Sequence, residues 1–197
     1  GMLRIDLRQG TGWDNWRKSG FSVESPTMVT GFRQSSGWAR NQHVFFAAEF
    51  STPVKVKKQV GDSIMVLTFE DISKPVMVKC AISAVSVEDA KANLKAELPG
   101  WDFKATVAAA NQAWNDELGK IDVDTDDETV RTIFYTALYH TMTAPSVFSD
   151  VTGNYRGADG KVHHGDFTNY TTFSLWDTYR AAHPLMTLIH PEKQKDM

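Results

Sequence analysis

The sequence predicts an α+β chain: a partial antiparallel β-sandwich followed by helices. Three observations carry that prediction. Apolar residues alternate with period two through the first 83 positions, the signature of strands with one covered face. Near residue 85 the pattern changes to capping residues followed by apolar stripes at helical spacing. Turn residues fall at the short, regular intervals of a sandwich rather than at the long intervals of a parallel sheet.

In the strand region, Val44, Phe46, Ala48 and Phe50 alternate with Phe45, Ala47 and Glu49. Val76, Val78, Cys80 and Ile82 repeat the pattern against Met77, Lys79, Ala81 and Ser83. On that alternation Cys80 is expected to be a buried, inert thiol. Ile64 to Phe69 is apolar on both sides and reads as an interior strand. Ser51-Thr52-Pro53 and Gly61-Asp62 supply turns.

Ser86 followed by Asp89 has the form of a capping box and opens a helix that ends before Pro99-Gly100. From Asp102 a second helix sets Phe103, Val107, Ala110, Trp114 and Leu118 on one stripe, with Gly119 as its stop. Asp126-Asp127-Glu128 places negative charge in the first turn of a third. Val130, Phe134, Ala137, Leu138 and Thr141 form its stripe, and Pro145 follows its end. Both stripes read as core. Asp177 to Ile189 reads as a further helix, interrupted at Pro184. Pro191-Glu192-Lys193 starts another, and the chain stops about one turn later, where a larger structure is expected to continue.

Composition excludes several classes. The 197 residues carry a formal net charge of -3, which recommends neither nucleic acid nor an anionic membrane as partner. No run of about 18 apolar residues exists, so no transmembrane helix is expected. One cysteine excludes an internal disulfide framework. The start Gly1-Met2-Leu3-Arg4 is no signal peptide, and Gly1 reads as a remnant of tag removal.

The long polar connection over 146–172 contains a hairpin, Asn154-Tyr155-Arg156-Gly157 and Lys161-Val162-His163-His164 around Ala158-Asp159-Gly160. Asp150, Thr152 and Asn154 imitate the first ligands of a calcium loop. The imitation fails, because Tyr155 stands where Gly is required and Lys161 where a bidentate Glu belongs. His163 and His164 are adjacent in an extended segment and point apart, which argues against a metal pair. Asp122, Asp124, Asp126, Asp127 and Glu128 are the densest carboxylates and read as a solvated cluster that compensates the helix dipole.

One segment carries recognisable chemistry: Phe173-Ser174-Leu175-Trp176-Asp177-Thr178-Tyr179-Arg180, continuing to His183-Pro184-Leu185. It combines flat apolar rings with a carboxylate and a guanidinium, the mixture that binds a sugar's C–H face and hydroxyls together. The alternative is a plain helix start, with Asp177 as terminal charge and Trp176 as core filler.

The segment resembles the opening of the catalytic domain in the glycoside hydrolase family 92 α-mannosidases. Gly31-Phe32-Arg33-Gln34-Ser35-Ser36-Gly37-Trp38-Ala39, Gln42-His43-Val44-Phe45-Phe46, Pro99-Gly100-Trp101-Asp102-Phe103 and Phe134-Tyr135-Thr136-Ala137-Leu138-Tyr139-His140-Thr141 resemble further family motifs in the family's order. The resemblance implies part of a β-sandwich domain over 1–84, connecting helices over 85–120, and the start of an (α/α)6 barrel over 121–197. It implies an exo-acting, inverting α-mannosidase whose substrate is terminal α-linked mannose of N-glycans or mannan. It also implies a calcium cofactor, with the calcium ligands and the catalytic acid and base on segments with no counterpart here. Trp176 and Asp177 would line the subsite for the terminal mannose, Arg180 would support them, and His183 would be structural. Family members act outside the cytoplasm, which implies a periplasmic or extracellular setting. A noncatalytic sugar-binding or assembly module made of the same parts is the alternative. Either way, an incomplete sandwich and barrel would leave bare edges and faces, so self-association, or association with the rest of the enzyme, is expected.

Overall fold

The computed structural model describes residues 1–172 and 174–197. Two compact units are present: residues 1–101 with 149–165, and residues 102–148 with 166–197.

The first unit is built on seven strands: β1 (Met2–Asp6), β2 (Asn15–Ser25), β3 (Met28–Ser36), β4 (Gln42–Phe50), β5 (Val54–Val60), β6 (Ile64–Phe69) and β7 (Val78–Ser83). They form two antiparallel sheets, ordered β1-β6-β5 and β2-β3-β4-β7. Val29, Ala48 and Phe50 from the larger sheet meet Val54, Met65 and Leu67 from the smaller in one buried core. This is the sandwich that the period-two pattern predicts, with β6 the interior strand of its sheet. Outside its first residue, edge strand β5 is exposed; it carries Lys55, Lys57 and Lys58, charges that discourage edge-to-edge pairing. Gly31 is sterically required. A Cβ there would run into the Gly20 carbonyl oxygen and lie 2.7 Å from the Phe46 ring.

Helix α1 (Val87–Glu97) covers the other face of the larger sheet, where Ala47, Ala90 and Leu94 pack together with Met28, Ala81 and Leu98 around them. The expected cap is present: the Ser86 hydroxyl accepts from the Asp89 amide at 3.0 Å and donates to the Asp89 carboxylate at 2.6 Å. The capping box is therefore only half reciprocal, since the Asp89 carboxylate takes the hydroxyl rather than the Ser86 amide.

The facing of β7 corrects the sequence reading. Val78, Cys80 and Ile82 share a face with Phe50, Ala48 and Phe46, but Val78 and Ile82 are 54% and 64% exposed. β7 is the edge of a four-stranded sheet opposed by only three strands, so its inner row has nothing over it. Cys80 is consequently exposed, not buried. The covered face is the polar-looking one, where Ala81 and Ser83 lie under α1.

Residues 149–165 complete the first unit. Strands β8 (Asn154–Arg156) and β9 (Val162–His164) form the expected hairpin, turned at Gly160 with φ of 77°. The two histidines do point apart: His163 bonds Asp159 at 3.0 Å, and His164 bonds Asn154 at 3.1 Å.

The second unit contains α2 (Phe103–Leu118), α3 (Glu128–Thr141), α4 (Leu175–Thr178), α5 (Ala182–Ile189) and α6 (Pro191–Asp196). Asp102 and Asp127 cap α2 and α3 as expected, and Gly119 ends α2. The helical stripes, by contrast, are not core in this unit. Helix α2 has no buried residue, with Phe103 and Val107 at 73% and 43% exposure, and only Leu138 of α3 is buried. The two helices meet at few points, chiefly the Trp114 and Tyr139 rings at 4.7 Å, and past the end of α2 the Tyr135 hydroxyl donates to the Ile121 carbonyl at 3.0 Å. Part of the α2 stripe does face other helices, since Ala110 and Trp114 line a cleft with Met186 of α5 and Lys193 of α6, while Phe103 and Val107 stay bare.

The helix expected over Asp177–Ile189 is also interrupted, but at residues 179–181 rather than at Pro184. Pro184 sits in the first turn of α5, where a backbone N–H has no intrahelical partner to lose. No helix among the described residues is long and apolar enough to cross a membrane.

Candidate functional site

Helix α4 is a single turn opened by Ser174, whose side chain makes no capping hydrogen bond. The turn is held by the Ser174 carbonyl, which accepts from the Asp177 and Thr178 amides at 3.2 Å each. It presents its side chains to solvent. Trp176 is 87% exposed, and Asp177 and Arg180 are exposed beside it. Within this chain Trp176 fills no core. The Arg180 Nε donates to the Tyr179 hydroxyl at 2.8 Å, and its guanidinium lies 5.3 Å from that ring, so the cation is steadied by an aromatic neighbour. Phe173, the first residue of the motif, lies outside the described residues.

The chain entering this segment is an extended strap. Val147 and Tyr170 form a bridge, with the Phe148 amide donating to the Asn169 carbonyl at 2.7 Å and the Thr171 amide to the Ser146 carbonyl at 2.8 Å. Beneath it runs a cleft of about 400 Å³, lined among others by Trp114, Met142, Tyr170, Met186 and His190.

At one wall of the cleft is a charged cluster that sequence reading missed. Glu117, at the end of α2, has Oε1 2.7 Å from the Lys193 ammonium. Its Oε2 lies 2.8 Å from Lys120 and 3.0 Å from the His190 Nε2. Lys120 also lies 3.0 Å from the His190 Nδ1, so the proton of this buried imidazole sits on Nε2, facing the carboxylate. Burial acts to raise the Glu117 pKa, but hydrogen bonds from Lys120 and Lys193 and the charges of Lys193 and His190 outweigh it, holding the carboxyl at about 2. Burial likewise lowers the His190 pKa, against the pull of Glu117. Nothing nearby in sequence joins His190 to Glu117, 73 positions earlier.

A second polar cluster was visible in sequence only as the failed calcium loop. In the first unit, the Asp150 carboxylate accepts from the Ser83 hydroxyl and the Asn93 amide, each at 2.7 Å. Asn93 also donates to the Ile82 carbonyl at 3.0 Å and accepts from the Val151 amide at 2.9 Å. Asp89 accepts from Thr152 at 2.6 Å and from Asn154 at 3.1 Å. Burial raises the Asp150 pKa, and the charge of Asp89 adds to it.

Neither cluster is a hydrolytic pair. Glycoside hydrolysis ordinarily takes an acid and a base or nucleophile with free oxygens flanking a sugar. The oxygens of Asp89 and Asp150 are committed to protein donors, and the Glu117 carboxylate is enclosed by the Lys120 and Lys193 cations and the His190 ring. The run from Asp122 to Glu128 has its five carboxylate residues exposed, and Asp127 caps α3. Calcium does not fit either. Asp150, Thr152 and Asn154 spend their polar atoms on Ser83, Asn93, Asp89 and His164, and no three His, Cys, Asp or Glu side chains among the described residues are grouped to hold a metal.

Comparison with known proteins gives one consistent picture. Residues 89–197 match the family model described as the glycosyl hydrolase family 92 catalytic domain. No curated protein matches the chain. Among solved structures, a family GH92 α-mannosidase from Bacteroides thetaiotaomicron is similar over 99% of this chain at 33% identity, with a TM-score of 0.87. The same mannosidase in complex with mannoimidazole is equally similar. A family GH92 inverting mannosidase from Bacteroides thetaiotaomicron VPI-5482 matches 94% of the chain at 27% identity, with a TM-score of 0.76. The chain spans 29% of the first of these relatives and 27% of the last.

Proposed function

Because the chain belongs to glycosyl hydrolase family 92, we propose that it forms part of an exo-acting α-mannosidase that removes terminal α-linked mannose with inversion. The observation that carries the proposal is the exposed Trp176-Asp177-Arg180 group, inside the matched region. The Trp176 ring offers a flat apolar surface to the C–H face of a mannose. Asp177 offers two acceptor oxygens for neighbouring hydroxyls. Arg180, steadied by Tyr179, offers donors that cannot be deprotonated.

Inversion calls for an acid at the leaving oxygen and a base that activates a water on the opposite face. No residue described above meets that need, so the bond-breaking groups and any calcium belong to the complete polypeptide. The bare α2 stripe and the uncovered row of β7 are covered there, or by self-association. Secretion to the periplasm or beyond would place the enzyme with its glycan substrates.

The test is mannose release from an α-1,2-linked mannobiose by the complete polypeptide, with calcium and then with a chelator. Loss of release on Asp177→Ala, with folding intact, supports the assignment. Unchanged release in that variant refutes the role of Asp177, and release by the 197-residue chain alone refutes the absence of catalytic groups from it.

A further inference from the structure

The strained-looking element in this fold is the exposed sugar segment itself: a one-turn helix with no side-chain cap and no buried residue. A helix that short is not stable in water, so its geometry must be imposed from its flanks. Both flanks lead to the same place. Thr168, eight residues before Trp176, donates its backbone amide to the Asp196 carboxylate of α6 at 3.1 Å. His183, seven residues after Trp176, has its Nδ1 3.3 Å from the Gln194 amide nitrogen of α6. Helix α6 in turn is fixed to α2, because Lys193 lies 2.7 Å from Glu117 and His190, just before α6, lies 3.0 Å from the same carboxylate.

We propose that α6 is a brace that holds the chain on both sides of the Trp176-Arg180 segment, at Thr168 and His183, and ties it to α2, with Glu117, Lys193, Gln194 and Asp196 as positioning residues for sugar binding. The proposal rests on the sugar-binding role assigned to Trp176 and Asp177 above. None of the four touches the sugar. They act by removing conformational freedom from a segment that cannot hold its own shape, so less ordering is left for the ligand to impose.

The charges suit this work. A carboxylate meeting a lysine and a buried imidazole together is a multi-point anchor, unlike a single solvated surface pair. Lys195 provides the contrast on the same helix: its described ion pair is to Glu192, within α6 itself.

The experiment uses this chain with 5-fluorotryptophan in place of tryptophan, the Trp176 signal being assigned with Trp176→Phe. Amide hydrogen exchange is followed over 168–172 and 179–183, with α3 as internal reference. Methyl α-D-mannopyranoside is titrated against the Trp176 fluorine signal. In Glu117→Ala and Lys193→Ala, exchange over both flanks is expected to rise at least about tenfold while α3 is unchanged, and the mannoside response to weaken at least about fivefold. Lys193→Arg is expected to restore both, and Lys195→Ala to alter neither.

Unchanged flank exchange in Glu117→Ala and Lys193→Ala overturns the brace. So does a rise shared equally by α3, which would report general loosening. No fluorine response in the unsubstituted chain overturns the sugar-binding role itself, and flank exchange then decides the brace alone.

Discussion

Replacing Asp89 by alanine should detach the 149–165 loop from the sandwich unit and cost about 3 kcal/mol of stability. Asp89 is 7% exposed and accepts side-chain hydrogen bonds from Ser86, Thr152 and Asn154. Hydrogen bonds to an ionised group contribute about 1.5–3 kcal/mol each. Their sum overstates the loss, because Thr152 and Asn154 sit on a loop that water can reach once it lifts, and because removing Asp89 relieves its repulsion of Asp150. A loss of about 3 kcal/mol, the yield of two such bonds at the low end of that range, is what remains.

Urea unfolding followed by circular dichroism measures the change. Hydrogen exchange locates it, with amides of 150–165 exchanging faster than those of β6. Glu88→Ala is the control; its side chain is 79% exposed, and it should shift stability by less than about 0.5 kcal/mol. The pH dependence is a second check. Burial raises the Asp89 pKa, but its three hydrogen bonds lower it further, so the folded value lies below the unfolded one. A depressed carboxyl contributes stability that is present above its unfolded pKa and lost as pH falls through the folded value. The gap between the natural chain and the variant should therefore be widest at neutral pH and narrow below about pH 4. A change under about 1 kcal/mol, or unaltered exchange in the hairpin, would show that these bonds do not hold the loop.

Other substitutions test other links in the chain of reasoning. Glu117→Gln should remove about 2–3 kcal/mol of stability at pH 6 and almost none near pH 2, since a carboxyl held at about 2 against the usual 4.5 stabilises only while ionised; thermal melts across that range measure it. Asp150→Asn should flatten the decline in stability as pH rises from 4 to 7, because a raised carboxyl favours folding below its unfolded pKa and loses that contribution above; urea midpoints at the two ends check it. Gly31→Ala drives a methyl into the Gly20 carbonyl and the Phe46 ring, and should cost about 2–3 kcal/mol in urea unfolding. Trp176→Ala should change the melting temperature by less than about 2 °C, since the side chain is 87% exposed, and a larger drop would mean that the ring has structural work.

Local chemistry was legible in the sequence, and long-range assembly was not. Ser86, Asp102 and Asp127 act within a few residues of themselves, so their caps could be read directly. The strand pattern of β4 was legible because its apolar row of Phe46, Ala48 and Phe50 is the one turned to the sandwich core. In β7 the same alternation misled: it marks two faces, but which is covered depends on how many strands stand opposite. Hence Cys80, on the row whose alternation suggests burial, lies outside. The α2 and α3 stripes misled for the same reason, since periodicity shows a face made for burial without supplying the surface that buries it. In the site, Trp176, Asp177 and Arg180 were legible as one motif. The Glu117–Lys193 anchor joins residues 76 positions apart and left no local trace.

The discontinuous first unit has a consequence for synthesis. Its sandwich and α1 are encoded by residues 1–101, but Asp89 and Asn93 wait for partners that leave the ribosome only with residues 149–165, after α2 and α3. Through that interval α1 carries a carboxylate and an amide with four of their six side-chain hydrogen bonds unmade. A gene cut at residue 101 would make that interval permanent. Expression designs for the sandwich unit should therefore keep the hairpin, joined to α1 by a short linker in place of the intervening helices.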